Sequence, residues 1–463
     1  MRATRPCLAV VAVLLELAFL ADADGAGTGA RASDVAASTS ARIPQPSLDN
    51  LANLTRRRLA PEGQRVDLLV PTFTHPTHVT NPLFPISDLR SAVLVGRFEG
   101  KPWRAETTLL PETRIVDWDG KKIETLQSQF VAYLSGRIYE VAVDLYAQAD
   151  DGSVWYFGED AFSYDRGHVS GVNETWHAGV DGPATMIMPG QPRVGDVYRP
   201  ENIPGLIFEQ VTVKEVGQVR EGPVGPVAGV MVGQELHMEG DVEDKTFAPG
   251  YGELRSGLGD DYEANALAIP ADALPEPSPA ELAQLLSGAL RAFEAARSQD
   301  WQAAAAGIDG LRIAYAAHQR HGPAKRLDAQ MTDALDALGR AVQAQDSRGA
   351  PLAALDVARG AADLTLRYRP PAEIDLLRLD LWARELTADA GDADAGGGDA
   401  DAVAGDVATM GWLRDRVALA GADAQHADDQ LRYLVAAAEA KDLWHAAVGA
   451  ERLRTSLAGL APK

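Results

Sequence analysis

The sequence predicts an α+β protein in two parts: an antiparallel curved β-sheet or open β-barrel, then an all-α helical bundle. Three observations predict it. Over about 66–268, short β-rich runs with period-two alternation stand between Gly, Pro and Asp turns. Near Pro270 the composition shifts to Ala and Leu at helical spacing, with Pro275, Pro277 and Pro279 at the seam. The stretch Asp144 to Glu159, the densest aromatic segment, sets Asp150-Asp151-Gly152-Ser153 between two strand-forming runs. Glycine accepts the positive φ of a tight turn, so this stretch reads as a hairpin inside a meander.

Taken in order, residues 1–23 read as a secretory signal peptide. Arg2 and Arg5 give the positive start, Leu8 to Leu20 the apolar run, and Ala21-Asp22-Ala23 a small-residue cleavage site. Cys7, the single cysteine, would leave with it, so no disulfide or thiol chemistry is expected. Residues 24–65 are rich in Ala, Gly, Ser and Thr and read as a flexible linker. The β domain, 66–268, is expected to hold nine to eleven strands in sequential antiparallel order, with hairpin turns at Asp119-Gly120, Ser135-Gly136 and Arg166-Gly167. The Gly- and Pro-rich segment from Trp176 to Pro204 reads as a long irregular connection across the sheet's open mouth. Ser278-Pro279-Ala280-Glu281 opens the helical bundle, 278–463, as Ser at the N-cap, Pro at N1 and acid in the first turn. Helices are expected near 279–297, 299–319, 323–345, 350–367, 371–388, 404–421 and 426–458, with a disordered Ala/Gly/Asp insert at 387–405. No segment after the signal is apolar enough to span a membrane.

The 463 residues carry a formal net charge of -23, from 43 Lys and Arg against 66 Asp and Glu. Such a chain repels nucleic acid and anionic lipid and is compatible with gathering cations. Walker, Gly-x-Ser-x-Gly and His-Glu-x-x-His motifs are absent. Three sets of residues remain. His75 and His78, with His237 and Glu239, are of the types that ligate a transition metal, although Pro76 denies the first pair a helical register. Asp144, Glu159 and Asp160 are candidates for acid/base chemistry around the central hairpin. Tyr146, Gln148, Trp155, Tyr156 and Trp176 are candidates to line a ligand cleft, with Trp155 and Phe157 on one face and Val154 and Tyr156 on the other. Turn chemistry alone accounts for Asp150 and Asp151.

The stretch Asp144 to Glu159, with Thr175-Trp176-His177-Ala178-Gly179-Val180-Asp181-Gly182 and Ile187-Met188-Pro189, resembles a family of uncharacterised secreted bacterial proteins. That family carries the signature Tyr-Ala-Gln-Asp…Gly-x-Val-Trp-Tyr-Phe-Gly-Glu. Asn81-Pro82-Leu83-Phe84-Pro85, Val194-Gly195-Asp196-Val197-Tyr198-Arg199 and Ala248-Pro249-Gly250-Tyr251-Gly252 extend the likeness over about 72–256. The chain departs from the pattern at Ala149, with Asp150 following. The resemblance implies an exported β domain and supplies no reaction.

The expectation is therefore an exported protein of the periplasm, envelope or exterior that binds a small ligand, a metal or an envelope partner without catalysis. The alternatives are a hydrolase using Glu159 with Asp144 or Asp160, and a structural envelope protein.

Overall fold

A computed structural model of the protein describes residues 59–391, 397–419, 422–458 and 460. The expected signal peptide, most of the linker and the centre of the Ala/Gly/Asp insert lie outside the described residues.

Fourteen strands form one sheet among the described residues. Their bounds are β1 (Ser91–Phe98), β2 (Lys101–Trp118), β3 (Lys121–Leu134), β4 (Arg137–Gln148), β5 (Val154–Asp165), β6 (His168–Gly171) and β7 (Trp176–His177). Then come β8 (Thr185–Met188), β9 (Val197–Ile203), β10 (Ile207–Glu221), β11 (Pro226–His237), β12 (Val242–Ala248), β13 (Gly252–Leu258) and β14 (Asp261–Ile269). Two antiparallel meanders, β1 to β6 and β9 to β14, join where β1 pairs with β14. β7 and β8 add to β5, and Thr185 Oγ1 on β8 donates to the Pro200 carbonyl on β9. This link draws the two ends of the sheet toward each other without a closing ladder.

Local chemistry explains the hairpins. Glu99-Gly100, Asp119-Gly120, Ser135-Gly136 and Arg166-Gly167 each hold both central residues at positive φ. That is the two-residue turn whose twist matches the flanking strands. The expected connection at 176–204 is instead three short strands, β7, β8 and β9. The count is fourteen rather than the nine to eleven expected, and the last strand, β14, pairs with β1 at the far end of the domain.

Among the described residues eight α-helices follow: α1 (Ala280–Arg297), α2 (Trp301–His318), α3 (Lys325–Gln343), α4 (Gly349–Thr365), α5 (Pro371–Asp389), α6 (Ala400–Asp415), α7 (Ala422–Glu439) and α8 (Leu443–Leu457). The last expected helix is two. The chain turns at Lys441, φ 53°, and Asp442 caps α8 by accepting from the His445 amide at 3.0 Å. The insert is also shorter than expected: α5 runs to Asp389, and Asp399 caps α6 through the Ala402 amide at 3.1 Å. Among the described residues no helix is long and apolar enough to cross a membrane.

Helices and sheet share their cores. Val93, Val95 and Leu267 pack with α1–α4, while Val131, Val141, Val143 and Phe162 pack with α5–α8. Their neighbours Ala92, Leu94, Phe130 and Ala142 face the other side, so strand alternation separates a helix-covered outer face from a concave inner one. A dry ion lattice fastens the outer face. Arg104 on β2 binds Glu106 at 2.7 Å and Asp363 of α4 at 2.7 Å, and Arg378 of α5 binds Asp363 at 2.8 Å and Asp375 at 2.9 Å. Arg416 reaches Glu106 and takes Gln129 Oε1 at 2.6 Å. The three arginines hold the Glu106 carboxyl well below its usual range against the opposing effect of burial.

Glu106→Gln would leave three buried guanidinium groups facing two carboxylates. Breaking one side of a buried ion pair costs about 3–5 kcal/mol. Urea unfolding of the variant is expected to show a loss of that order, with the β and helical signals melting together.

Candidate functional site

The concave face encloses a cavity of about 340 Å³. Every meander strand from β1 to β5 and from β9 to β14 lends it at least one side chain, and Phe84, Pro85 and Ile86 of the loop before β1 close one side. That loop is tied down by the central hairpin. Gln148 Oε1 accepts from the Thr80 and Asn81 amides at 2.7 and 2.9 Å, and Asp150 accepts from the Thr74 amide at 2.8 Å and from Thr72 Oγ1 at 2.8 Å. Asp151 Oδ1 closes the turn on the Ser153 amide at 3.0 Å.

A bulge sets which side chains of β5 face inward. Tyr146 pairs with Tyr156, but Asp144 pairs with Glu159, so two residues of β5 stand opposite Leu145 alone. Gly158 occupies the bulge at φ 113°, and a Cβ there would lie 2.1 Å from the Trp176 carbonyl oxygen. The extra residue shifts the alternation by one. Glu159 therefore joins Tyr156 in the cavity, and Asp160 turns outward to an ion pair with Arg114 at 2.7 Å and a contact with His177 Nε2 at 3.0 Å.

Two groups of polar side chains result. In the first, Tyr156 donates to Asp144 Oδ1 at 2.7 Å beside Glu159, with Tyr146 stacked on Tyr156 at 4.9 Å and Phe84 edge-on to Tyr146 at 4.9 Å. The second stands on β10, β11 and β12. His237 lies 3.5 Å from Glu209, 3.4 Å from Glu243 and 3.8 Å from Glu235, and Lys245 Nζ is 3.0 Å from Glu235. In all, eleven carboxylates line the cavity against two basic side chains, His237 and Lys245.

The expected site residues divide accordingly. Asp144, Glu159, Tyr146, Tyr156, His237 and Glu239 line the cavity. Trp155 does not line it: buried, it donates to Ser153 Oγ at 2.9 Å. Trp176 is wholly buried behind Tyr156, 5.3 Å ring to ring. Gln148 anchors the loop. His75 and His78 lie on that same loop, away from the cavity lining, and among the described residues neither belongs to a group of three converging metal-ligand types. Sequence reasoning missed Glu209, Glu235, Glu243 and Lys245. Their signal was present: Glu235 with His237, and Glu243 with Lys245, are charges two apart on strands, and so share one face.

Burial dominates the titration of these groups. It pushes Asp144 up to about 6 against the hydrogen bonds from Tyr156 and Tyr146. It carries Glu159 well above its usual range, helped by the neighbouring Asp144. Glu174 rises to about 7 through burial and the nearby Glu239, and Glu235 to about 8 through burial and the facing Glu209. Burial would lower His237, but the facing Glu209 and Glu243 outweigh it and raise the imidazole to about 10. Glu209 moves the other way, held well below its usual range by Lys245 and His237 despite burial.

Asp144, Glu174 and Glu235 bind their protons more tightly folded than unfolded. Their contribution to stability is complete below the ordinary carboxylate range, near pH ~4, and is lost as pH rises through about 6, 7 and 8. The melting temperature is expected to fall from pH ~5 to ~8.5, and Glu159→Gln to make the fall shallower, as read by calorimetry in cation-free buffer. Neither a scan against protein-family models nor a search of curated proteins finds a match for the chain, so a functional reading rests on this cavity.

Proposed function

We propose that the protein binds a small organic cation in the cavity of its sheet, as a non-enzymatic capture protein of the exported compartment that the sequence implies. One observation carries this reading: eleven carboxylates line one cavity with two bases. A buried carboxylate without a counter-charge is costly, so it keeps a proton or takes a cation. The cavity's roughly 340 Å³ lies at the small end of the range for small-molecule sites. Its aromatic wall suits an ammonium group, because Tyr146 and Tyr156 line the cavity with Asp144 and aromatic rings attract cations. The apolar side chains Leu94, Phe130 and Ile187 would meet a carbon skeleton.

Titration calorimetry with choline, putrescine and a neutral alcohol of choline's size tests this. A cation is expected to bind and the alcohol not. The Asp144→Asn and Glu159→Gln variants should each weaken binding by about tenfold, the worth of one charged contact. Equal binding of alcohol and amine, or no binding of any, overturns the reading.

A second reading, carboxylate-dependent hydrolysis, is favoured by the cross-strand pairing of Asp144 with Glu159, two acids that hold protons into the neutral range. It requires turnover of chromogenic glycosides that Glu159→Gln abolishes; absence of turnover with cations bound leaves the capture reading.

A further inference from the structure

From the β10–β11–β12 wall we infer a site for a divalent transition-metal ion, held by His237 Nε2, Glu235 and Glu243, with Glu209 on the other nitrogen of the imidazole. The inference rests on the cation-binding reading for the charge of the cavity, and deepens it by naming an inorganic ligand at one wall.

Strand register builds the site. Glu235 and His237 are two apart on β11 and so share its inner face. Glu209 on β10 is the cross-strand partner of His237, and Glu243 on β12 is the partner of Glu235. Three adjacent strands thereby set one imidazole and three carboxylates on a single patch. Glu209, Glu235 and His237 each bring a ligand atom within 4.8 Å of the others. His237 Nδ1 lies 3.5 Å from Glu209, and Nε2 lies 3.4 Å from Glu243 and 3.8 Å from Glu235. A tetrahedral shell with bonds of about 2.0–2.2 Å spaces its ligand atoms by roughly 3.4 Å. An ion takes one ring nitrogen: on Nε2 it meets Glu243 and Glu235 near coordination spacing, and Glu209 then holds the ring from Nδ1.

A second observation points the same way. His237 and Glu243 are 5% and 2% exposed, and both line the cavity. Yet His237 Nε2 and both carboxylate oxygens of Glu243 make no hydrogen bond; their nearest charged neighbours are each other at 3.4 Å and, for Glu243, Lys245 Nζ at 3.6 Å. Buried polar atoms are nearly always hydrogen-bonded, so these are groups prepared for a partner. A comparable trio at the sheet–helix interface, Glu385, Asp389 and Asp406, is already answered by Arg137 at 2.7 to 3.3 Å. Imidazole with carboxylates favours Zn²⁺ or its neighbours in the first transition row over Ca²⁺ or Mg²⁺, which take oxygen donors.

The test is equilibrium dialysis of the metal-stripped full chain against Co²⁺ alone, then Zn²⁺ alone. One equivalent of Co²⁺ is expected, with the strong visible absorption of a low-coordinate ion, and Zn²⁺ should displace it. His237→Gln and Glu243→Gln should each weaken binding at least about tenfold, whereas Asp117→Asn, at an exposed carboxylate of β2 outside the cavity lining, should bind as the parent does. Absence of Co²⁺ binding, or binding unchanged in His237→Gln, overturns the inference and leaves the wall an ion-pair lattice centred on Lys245. Should the variants fail to fold, proton NMR of the parent Co²⁺ complex decides: hyperfine-shifted signals from one imidazole support the site, and their absence overturns it. The two readings fail separately. Co²⁺ bound without choline or putrescine removes the organic-cation reading and keeps the metal. Amines bound by metal-stripped protein that takes up no Co²⁺ do the reverse.

Discussion

The structure depends on how charge is balanced across one sheet. On the outer face Arg104, Arg378 and Arg416 meet Glu106, Asp363 and Asp375 in equal number, nearly all of them out of water. Equal numbers and bidentate geometry allow so polar a cluster to be dry, because each desolvated charge has its opposite within hydrogen-bond reach. Arginine suits the role, since it cannot shed its proton to escape burial. The lattice fixes where α4 and α5 lie against β2 and β3, and the apolar contacts of Val131, Val141 and Phe162 then fill around it.

On the inner face of the same strands the balance fails on purpose or by neglect, and the physics favours purpose. Asp144, Glu159 and Glu235 are placed there by the same ladders that place Val131 and Val143 outside, and a slip by one residue would exchange the two sets. The outer helices need a rigid, dry partner. The inner hollow needs curvature and a side chain on every second residue. A sheet coupled to helices on one side supplies both, which is why the two parts of the chain form one body.

Much of this was legible. The x-Gly turns announced the hairpins, and period-two alternation announced strands with one buried face; that both Val131 and Phe130 lie in packed surroundings came only with the fold. Tyr146, Tyr156, Asp144, Glu159 and His237 could be named as candidates from residue type alone. What stayed hidden has physical causes. β14 pairs with β1 across the whole domain, and no local pattern reports so distant a partner. The bulge at Gly158 reverses the alternation, so period-two reasoning past Phe157 misassigns Glu159 and Asp160. Glu235 and Glu243 went unnamed because isolated strands do not show which face is curled inward. His75 and His78 drew attention by their type, whereas it is their neighbours Pro76, Thr80 and Asn81 that seat the loop on Gln148.

The pairing of β1 with β14 also governs the order in which the molecule can come together. Every other ladder of the two meanders joins strands adjacent in sequence and forms by zipping a short turn. The ladder between β1 and β14 must close a loop that spans the domain, and loop closure of that length is entropically slow. Until it forms, β1 is an exposed edge, a template for any other extended chain. As the polypeptide is made from its N-terminus, the first meander is complete long before its edge is covered. The seam is therefore where the young chain is most exposed to aggregation, and where a chaperone would have the longest time to act.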